Sequence, residues 1–184
     1  MDIMNFVYVF LFVILIVIFI IFALYNKLIK YQNRVKKARA NIEISLNKRF
    51  DLIPNVVECV KGYSEHESTT LENIVELRNT YNSEKNLSLS EASNMNDKLN
   101  KYLAIVENYP NLKANTQYLD LQAQLRAIED ELVYARRKYN DEVTRYNTTI
   151  ESVPSNIIAS IFAFKKAELF QIEDHKRENT KIDI

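Results

Sequence analysis

The sequence contains a single glycine in 184 residues. Phosphate-cradling loops and dinucleotide fingerprints each take two or three glycines, where the backbone must approach the phosphates without a Cβ, so P-loop and Rossmann enzymes are excluded. One cysteine rules out an intrachain disulfide framework and a Cys-rich zinc site. Tryptophan is absent, proline occurs three times, and there are two histidines, His66 and His175. Neither charge is in excess, with 24 basic and 24 acidic side chains, which speaks against a protein that coats nucleic acid. The length fits about one domain.

What is present begins with an uninterrupted apolar run. From Phe6 to Leu24 all 19 residues are apolar or aromatic, and only Tyr8 carries a polar tip. As a helix the run spans about 28 Å, close to the ~30 Å hydrocarbon core of a bilayer. A cleaved signal peptide fits poorly, because no basic residue precedes the run and no small-x-small site follows Phe22-Ala23-Leu24. No cysteine near its end suits a lipoprotein signal. The expectation is an uncleaved transmembrane anchor over residues 1–24. Lys27, Lys30, Arg34, Lys36, Lys37 and Arg39 follow before the first acid, Glu43. Basic flanks stay cytoplasmic, so the expected topology is single-pass in the inner (cytoplasmic) membrane, N-terminus outside and the remainder inside. The lysine and arginine cluster either touches anionic lipid, at about 1 kcal/mol per basic residue near the surface, or only sets topology.

Beyond the anchor the apolar positions recur with a helical period. Leu28, Tyr31, Val35, Ala38 and Ile42 step by three and four; so do Ala92, Met95, Leu99, Tyr102, Val106 and Tyr109. The longest stripe starts at Tyr118, Leu121, Leu125 and Ile128, and runs on through Leu132, Ala135 and Tyr139 to Ile150. Such spacing puts each set on one helix face, the signature of a bundle. Breaks fall at Gly62, with Ser64 and Glu67 as a capping box, at Asn86–Ser88, at Pro110 and at Pro154. Ser88 or Ser90, and Asn115 or Thr116, are the next caps, and Pro54 kinks the first helix or ends it early. Helices over 25–61, 64–82, 89–108 and 116–152 then form an all-α fold: a transmembrane helix followed by an antiparallel up-and-down four-helix bundle over residues 25–164. In that layout the chain returns to the membrane at Ser155. Its apolar run Ile157–Phe164 is too short to span a bilayer and either lies on the membrane or caps the bundle. Ile157, Ile158, Ile161 and Phe162 are thus candidate membrane-surface residues beside Lys27, Lys30, Arg34, Lys36 and Lys37. Residues 165–184 are expected to form a polar, disordered tail.

Catalytic constellations are scarce. His66 stands between Glu65 and Glu67, but adjacent helical residues point about 100° apart, and Thr70 occupies the place of a second histidine. Cys59 lies too far along the axis from His66 to form a nucleophile–base pair and reads as a small buried hydrophobe. An enzyme would need His66, Glu67 and Asp51 to cluster. Tyr-Asn recurs at Tyr25-Asn26, Tyr81-Asn82, Tyr139-Asn140 and Tyr146-Asn147. Tyrosines of this kind either edge the bundle or line a ligand groove. Arg49, Asp51, Arg78, Glu107 and Glu129 are available for polar layers between helices.

The motifs together resemble the LemA family. Those carrying the resemblance are Tyr25-Asn26, Arg49-Phe50-Asp51-Leu52-Ile53-Pro54-Asn55, Tyr63 with His66-Glu67, and Arg78. They continue with Glu107–Asn115, Leu121-Gln122, Glu129, Arg136, Tyr139-Asn140, Tyr146-Asn147, and Pro154 with Ile158-Ala159. Together they cover about residues 25–164 in family order, with one departure: Ala163-Phe164 stands where the family commonly has Gly-Phe. The resemblance implies a bacterial single-pass membrane protein with a four-helix cytoplasmic domain, no established catalytic activity and no cofactor. Some relatives are tied to membrane remodelling or organelle formation. The leading expectation is a non-enzymatic scaffold or adaptor that binds the bilayer and either an envelope protein or further copies of itself, with Tyr109, Pro110, Asn111 and Lys113 as a candidate docking tip. The alternative is a ligand-sensing module with a polar pocket between helices.

Overall fold

The computed structural model describes residues 2–61, 68–84, 87–106 and 115–170. Among these the fold is all-α, without a strand: α1 (Asp2–Asp51), α2 (Ile53–Lys61), α3 (Ser68–Ser83), α4 (Leu89–Val106), α5 (Thr116–Glu151) and α6 (Ser155–Ile161). Among the described residues one helix is long and apolar enough to cross a membrane; it lies near the N-terminus, with none of its apolar window buried. The apolar run continues without a break into the packed part of α1, a helix of 50 residues and about 75 Å.

Where α1 ends is dictated by Pro54. A helix continued through this residue would lack its N–H and press the ring on the Phe50 carbonyl. The backbone breaks at Leu52 instead, whose N–H donates only three residues back to Arg49 (3.2 Å), and Val56 resumes the helical pattern to Leu52 (3.1 Å). Gly62, Ser64 and Glu67 lie outside the described residues. Ser88 is the cap of α4 and builds a full capping box: its backbone N–H donates to Glu91 Oε2 (2.8 Å), and the Glu91 N–H donates to Ser88 Oγ (3.2 Å). Asn115 caps α5 by accepting from the N–H groups of Gln117 (2.8 Å) and Tyr118 (3.3 Å).

The chain divides into two compact units. The first holds residues 1–39 and 138–169. In it α1 and α5 run in opposite directions: Leu28 meets Ile150, Gln32 faces Tyr146 and Arg39 lies near Tyr139, one number rising as the other falls. Leu28 is fully buried in a cluster with Ile158 and Ala159 of α6, around which Leu24, Tyr25, Ile150 and Phe164 pack. The turn into α6 contains a cis peptide bond at Val153–Pro154. α6 then closes in a Schellman motif, Phe164 N–H donating to the Ala159 carbonyl (2.9 Å) and Ala163 N–H to that of Ser160 (3.2 Å). Ala163 holds the left-handed position at φ 53°, and Phe164 packs back on the Ala159 cluster, the apolar contact this motif favours. A residue with a Cβ therefore stands where glycine is preferred.

The second unit holds residues 40–137 together with Phe170 onward. It contains the end of α1, then α2, α3, α4 and the first part of α5, with α2 against α3 and α3 against α4. Lys48 meets Glu131 (2.9 Å) and Arg49 meets Glu129, so α1 and α5 are antiparallel here too. Its interior is built on residues such as Phe50, Ile53, Ile74, Leu99 and Leu132, all fully buried. Phe50 stacks on Tyr81 with ring centroids 4.1 Å apart and planes at 16°.

Candidate functional site

Two groups of residues stand out in the first unit, an exposed collar and a clamp. Lys27, Lys30, Arg34, Lys36 and Lys37 are all exposed along α1, with the Arg34 guanidinium 5.4 Å from the Tyr31 ring. Beside them α6 is two-faced. Ile158 and Ala159 are buried, whereas Ile157, Ile161 and Phe162 stay 57, 68 and 51 % exposed. Ile158 was expected at the membrane surface; it points instead into the Leu28 cluster, because residues 157 and 158 lie about 100° apart around the helix. Tyr25 bridges anchor and α6 through its ring, 4.8 Å from Phe162 and 5.8 Å from Phe164.

The clamp holds the segment after α6. The Asn147 side chain pairs with the Ala167 backbone as one peptide pairs with another, Nδ2 donating to the carbonyl (2.8 Å) and Oδ1 accepting from the N–H (2.9 Å). The Tyr139 hydroxyl donates to the Glu168 carbonyl (2.9 Å), and Lys166 pairs with Glu151. In the second unit the Arg136 guanidinium lies 4.8 Å from the ring of buried Phe170. The expected tail from residue 165 therefore begins too early: residues 165–170 are held by side chains of α5. Residues 171–184, with His175, lie outside the described residues.

The second unit encloses a polar layer. Arg49 is almost wholly buried, and its guanidinium donates to Asn96 Oδ1 (2.6 Å), to Asn100 Oδ1 and to Glu129. Burial lowers its pKa; Glu129 opposes that shift, and neighbouring Arg136 adds to it. Arg136 is likewise lowered, first by burial, against Glu129 and Asp97. Arg49 Nε, Arg78 Nε and Asn96 Nδ2 are buried without a hydrogen-bond partner. Two arginines, Glu129 and Asp97 thus form a charge-balanced layer around fully buried Asn96, an arrangement suited to fixing helix register.

The sequence signature of the LemA family matches residues 38–184. The chain belongs to the LemA family. Protein LemA of Metamycoplasma hominis is 26% identical over 158 residues, 83% of this chain and 71% of that protein. Magnetosome protein MamQ 2 of Paramagnetospirillum magneticum is 36% identical over 73 residues, 40% of this chain. Magnetosome protein MamQ of Magnetospirillum gryphiswaldense is 32% identical over 72 residues, 39% of this chain. The chain spans only about a quarter of the length of these two magnetosome proteins.

Several residues that carry the LemA resemblance do internal work. Arg49 anchors the polar layer, Pro54 sets the α1 break, and Tyr139 and Asn147 hold the C-terminal segment. Of the Tyr-Asn tyrosines, Tyr25, Tyr139 and Tyr146 belong to the first unit and Tyr81 to the second. Tyr81 donates to Asn47 Oδ1 (2.8 Å), and its phenol is pushed up to about 12, mainly by burial and further by Glu43 and Asp51. Of the residues an enzyme would need, Asp51 is exposed, and His66 and Glu67 lie outside the described residues. No group of metal-ligating side chains occurs among the described residues.

Cys59 is half-buried rather than buried. It lines a groove of about 430 Å³ with Asn55, Glu58, Gln117, Asp120 and Gln124. A second groove of about 300 Å³ has an apolar floor of Ile53, Pro54, Val57 and Val75, flanked by Glu58, Lys61 and Arg78. The docking-tip residues Tyr109, Pro110, Asn111 and Lys113, and Glu107 of the expected polar layers, lie outside the described residues. Sequence reasoning missed Asn96, Asn100 and the Asn147 clamp. The signal for the first two is their i, i+4 spacing beside Leu99; for the clamp the recurring Tyr-Asn pairs mark Tyr139 and Asn147 but not their backbone partners.

Proposed function

We propose that this LemA-family chain is a non-enzymatic, membrane-anchored helical scaffold at the cytoplasmic face of the bacterial inner membrane, binding an envelope protein or organising the membrane there. The observation that carries this reading is the continuity of α1, in which a bilayer-length apolar run passes without a break into a packed helical hairpin. A helix without a hinge suits holding a domain at a surface. The exposed basic residues after the run favour a cytoplasmic bundle, since positive flanks remain inside. Among the described residues, Arg49, Asn147 and Tyr139 are engaged with other side chains or with backbone, which suits structural roles. Two relatives bear the name magnetosome protein, which assigns them to a cellular structure rather than to a reaction.

Two measurements test this reading. Protease added outside spheroplasts leaves the bundle intact if it is cytoplasmic; degradation to the anchor overturns the orientation. In-cell photocrosslinking from Tyr109 and from Val75, beside the apolar groove, is expected to trap one defined envelope protein or further copies of the chain. Absence of any protein adduct from both positions, in cells where the chain is abundant, ends the scaffold reading.

A further inference from the structure

We infer that α6 is a membrane-interface element: Val153, Ile157, Ile161 and Phe162 insert into the leaflet from which the anchor emerges, while Ile158 and Ala159 grip the base of that anchor. The inference rests on the proposed bilayer crossing by Phe6–Leu24 and deepens it. Three observations carry it.

The first is the division of α6 into two apolar faces. One is consumed by Leu28 and its neighbours; the other leaves Val153 79 %, Ile157 57 % and Ile161 68 % exposed, with Ile157 and Ile161 one helical turn apart. The exposed side of this short helix presents Ile157 and Ile161 beside Ser160, and it is extended by Val153 before the helix and Phe162 after it, an exposed apolar patch that water does not suit. The second is depth. Tyr25 follows directly on the last residue of the bilayer-length run, and its ring lies 4.8 Å from that of Phe162. The outer face of α6 therefore continues the exposed apolar surface of the anchor at headgroup level, where aromatic rings concentrate at membrane boundaries. The third is charge. Lys27 and Lys30 after the apolar run and Lys165 after α6 are exposed, as an interfacial element beside anionic lipid requires, while Lys166 is paired with Glu151. Continuity with the anchor selects lipid as the occupant, since a protein seated there would have to lie among the headgroups. The consequence is attachment at two places, so that the juxtamembrane hairpin is held at a set angle to the membrane and does not swivel on one helix.

The chain has no tryptophan, so an introduced indole reports without background. Full-length F162W and I157W are reconstituted in vesicles of phosphatidylcholine with phosphatidylglycerol as the minor lipid. Co-flotation with the vesicles checks the anchor separately. The expected result is a blue-shifted emission that falls about two-fold with lipids brominated near the ester end of the acyl chain and less with bromine near the methyl end, as burial by about 5–10 Å demands. Acrylamide should quench both variants weakly. Quenching by acrylamide but not by bromolipid overturns the inference while leaving the anchor in place. Protection from both quenchers also overturns it, since protein, such as a second copy, then covers the face. A chain that fails to co-float removes the anchor and α6 insertion together.

Discussion

The two units bury polarity in opposite ways. In the unit of residues 40–137 a guanidinium is drawn into the interior and held by side chains from two other helices, Asn96 and Asn100 of α4 and Glu129 of α5. In the unit of residues 1–39 and 138–169, the long-range polar contacts run mainly from side chain to backbone, as Asn147 to Ala167 and Tyr139 to Glu168, around an apolar centre at Leu28. A buried charge is costly unless every partner is in register, so it discriminates strongly between arrangements of similar amphipathic helices. A side-chain-to-backbone clamp discriminates little between sequences but holds a segment that has no secondary structure of its own. The bundle's need is to choose one packing; the juxtamembrane hairpin's need is to keep a short helix and its extension in place.

Removing one side of the buried pair gives the largest break in this comparison. Glu129→Ala leaves Arg49 buried without its counter-charge and is expected to cost about 2–3 kcal/mol, less than a fully enclosed pair would because Glu129 is about a third exposed. Chemical denaturation of the detergent-solubilised chain measures it. The double variant Arg49→Met with Glu129→Leu should recover only part of the loss, since it removes both desolvated charges but leaves buried Asn96 without its hydrogen bond from Arg49. A single-variant cost within about 0.5 kcal/mol, as surface substitutions give, would shift the credit to Asn96 and Asn100.

The clamp should break more gently. Asn147→Ala removes two partly buried hydrogen bonds, about 1–2 kcal/mol together, and the effect stays local. Trypsin should then cut after Lys165 and Lys166 several times faster than in the parent chain while the bundle's denaturation midpoint is unchanged. Equal cutting rates would mean that Tyr139 and the Phe170–Arg136 contact suffice to hold the segment.

How far the fold could be read in advance follows the same divide. Helix order is local and legible in the residues themselves; Ser88 and Asn115 are each one of two candidate caps there, and Pro54 allows a kink or an early end, which the structure resolves as a break at Leu52. The helical period in α4 predicts the stripe Ala92, Met95, Leu99, Tyr102, Val106 and Tyr109, yet the buried line is Ala92, Asn96, Leu99 and Leu103, with Met95 and Tyr102 only half-buried. Hydrophobic periodicity discards asparagine, so a helix that buries one is misread by a fraction of a turn. Residues 165–170 read as a tail because most of what holds them, at Ala167 and Glu168, is backbone, which every residue carries. Ala163 falls between these cases. Its departure from the family's glycine was legible, while the left-handed φ of 53° that makes the departure costly was not. Ala163→Gly should therefore stabilise the juxtamembrane unit by up to about 1 kcal/mol, the strain relieved outweighing the gain in unfolded-chain freedom. A loss of stability on that substitution would show the Schellman turn to be set by packing of Phe164 alone.

The smallest effect is absent at neutral pH and separates the units by titration. Tyr81 has its phenol raised from the ordinary value of 10.0 to about 12, by burial first and then by Glu43 and Asp51. The folded state thus prefers the neutral phenol, and the associated stability is fully present below about 10, declining as pH climbs from there to about 12. Tyr139 and Tyr146, in the other unit, are also raised by burial, so the wild-type alkaline limb mixes both regions. Tyr81→Phe keeps the ring against Phe50 and removes only the ionisation and the bond to Asn47. Amide hydrogen exchange measured across the alkaline range should then show the bundle unit losing its pH dependence while the juxtamembrane unit retains it. If the bundle still opens as steeply in Tyr81→Phe, the alkaline transition belongs to Tyr139 and Tyr146, and the two units share one unfolding event.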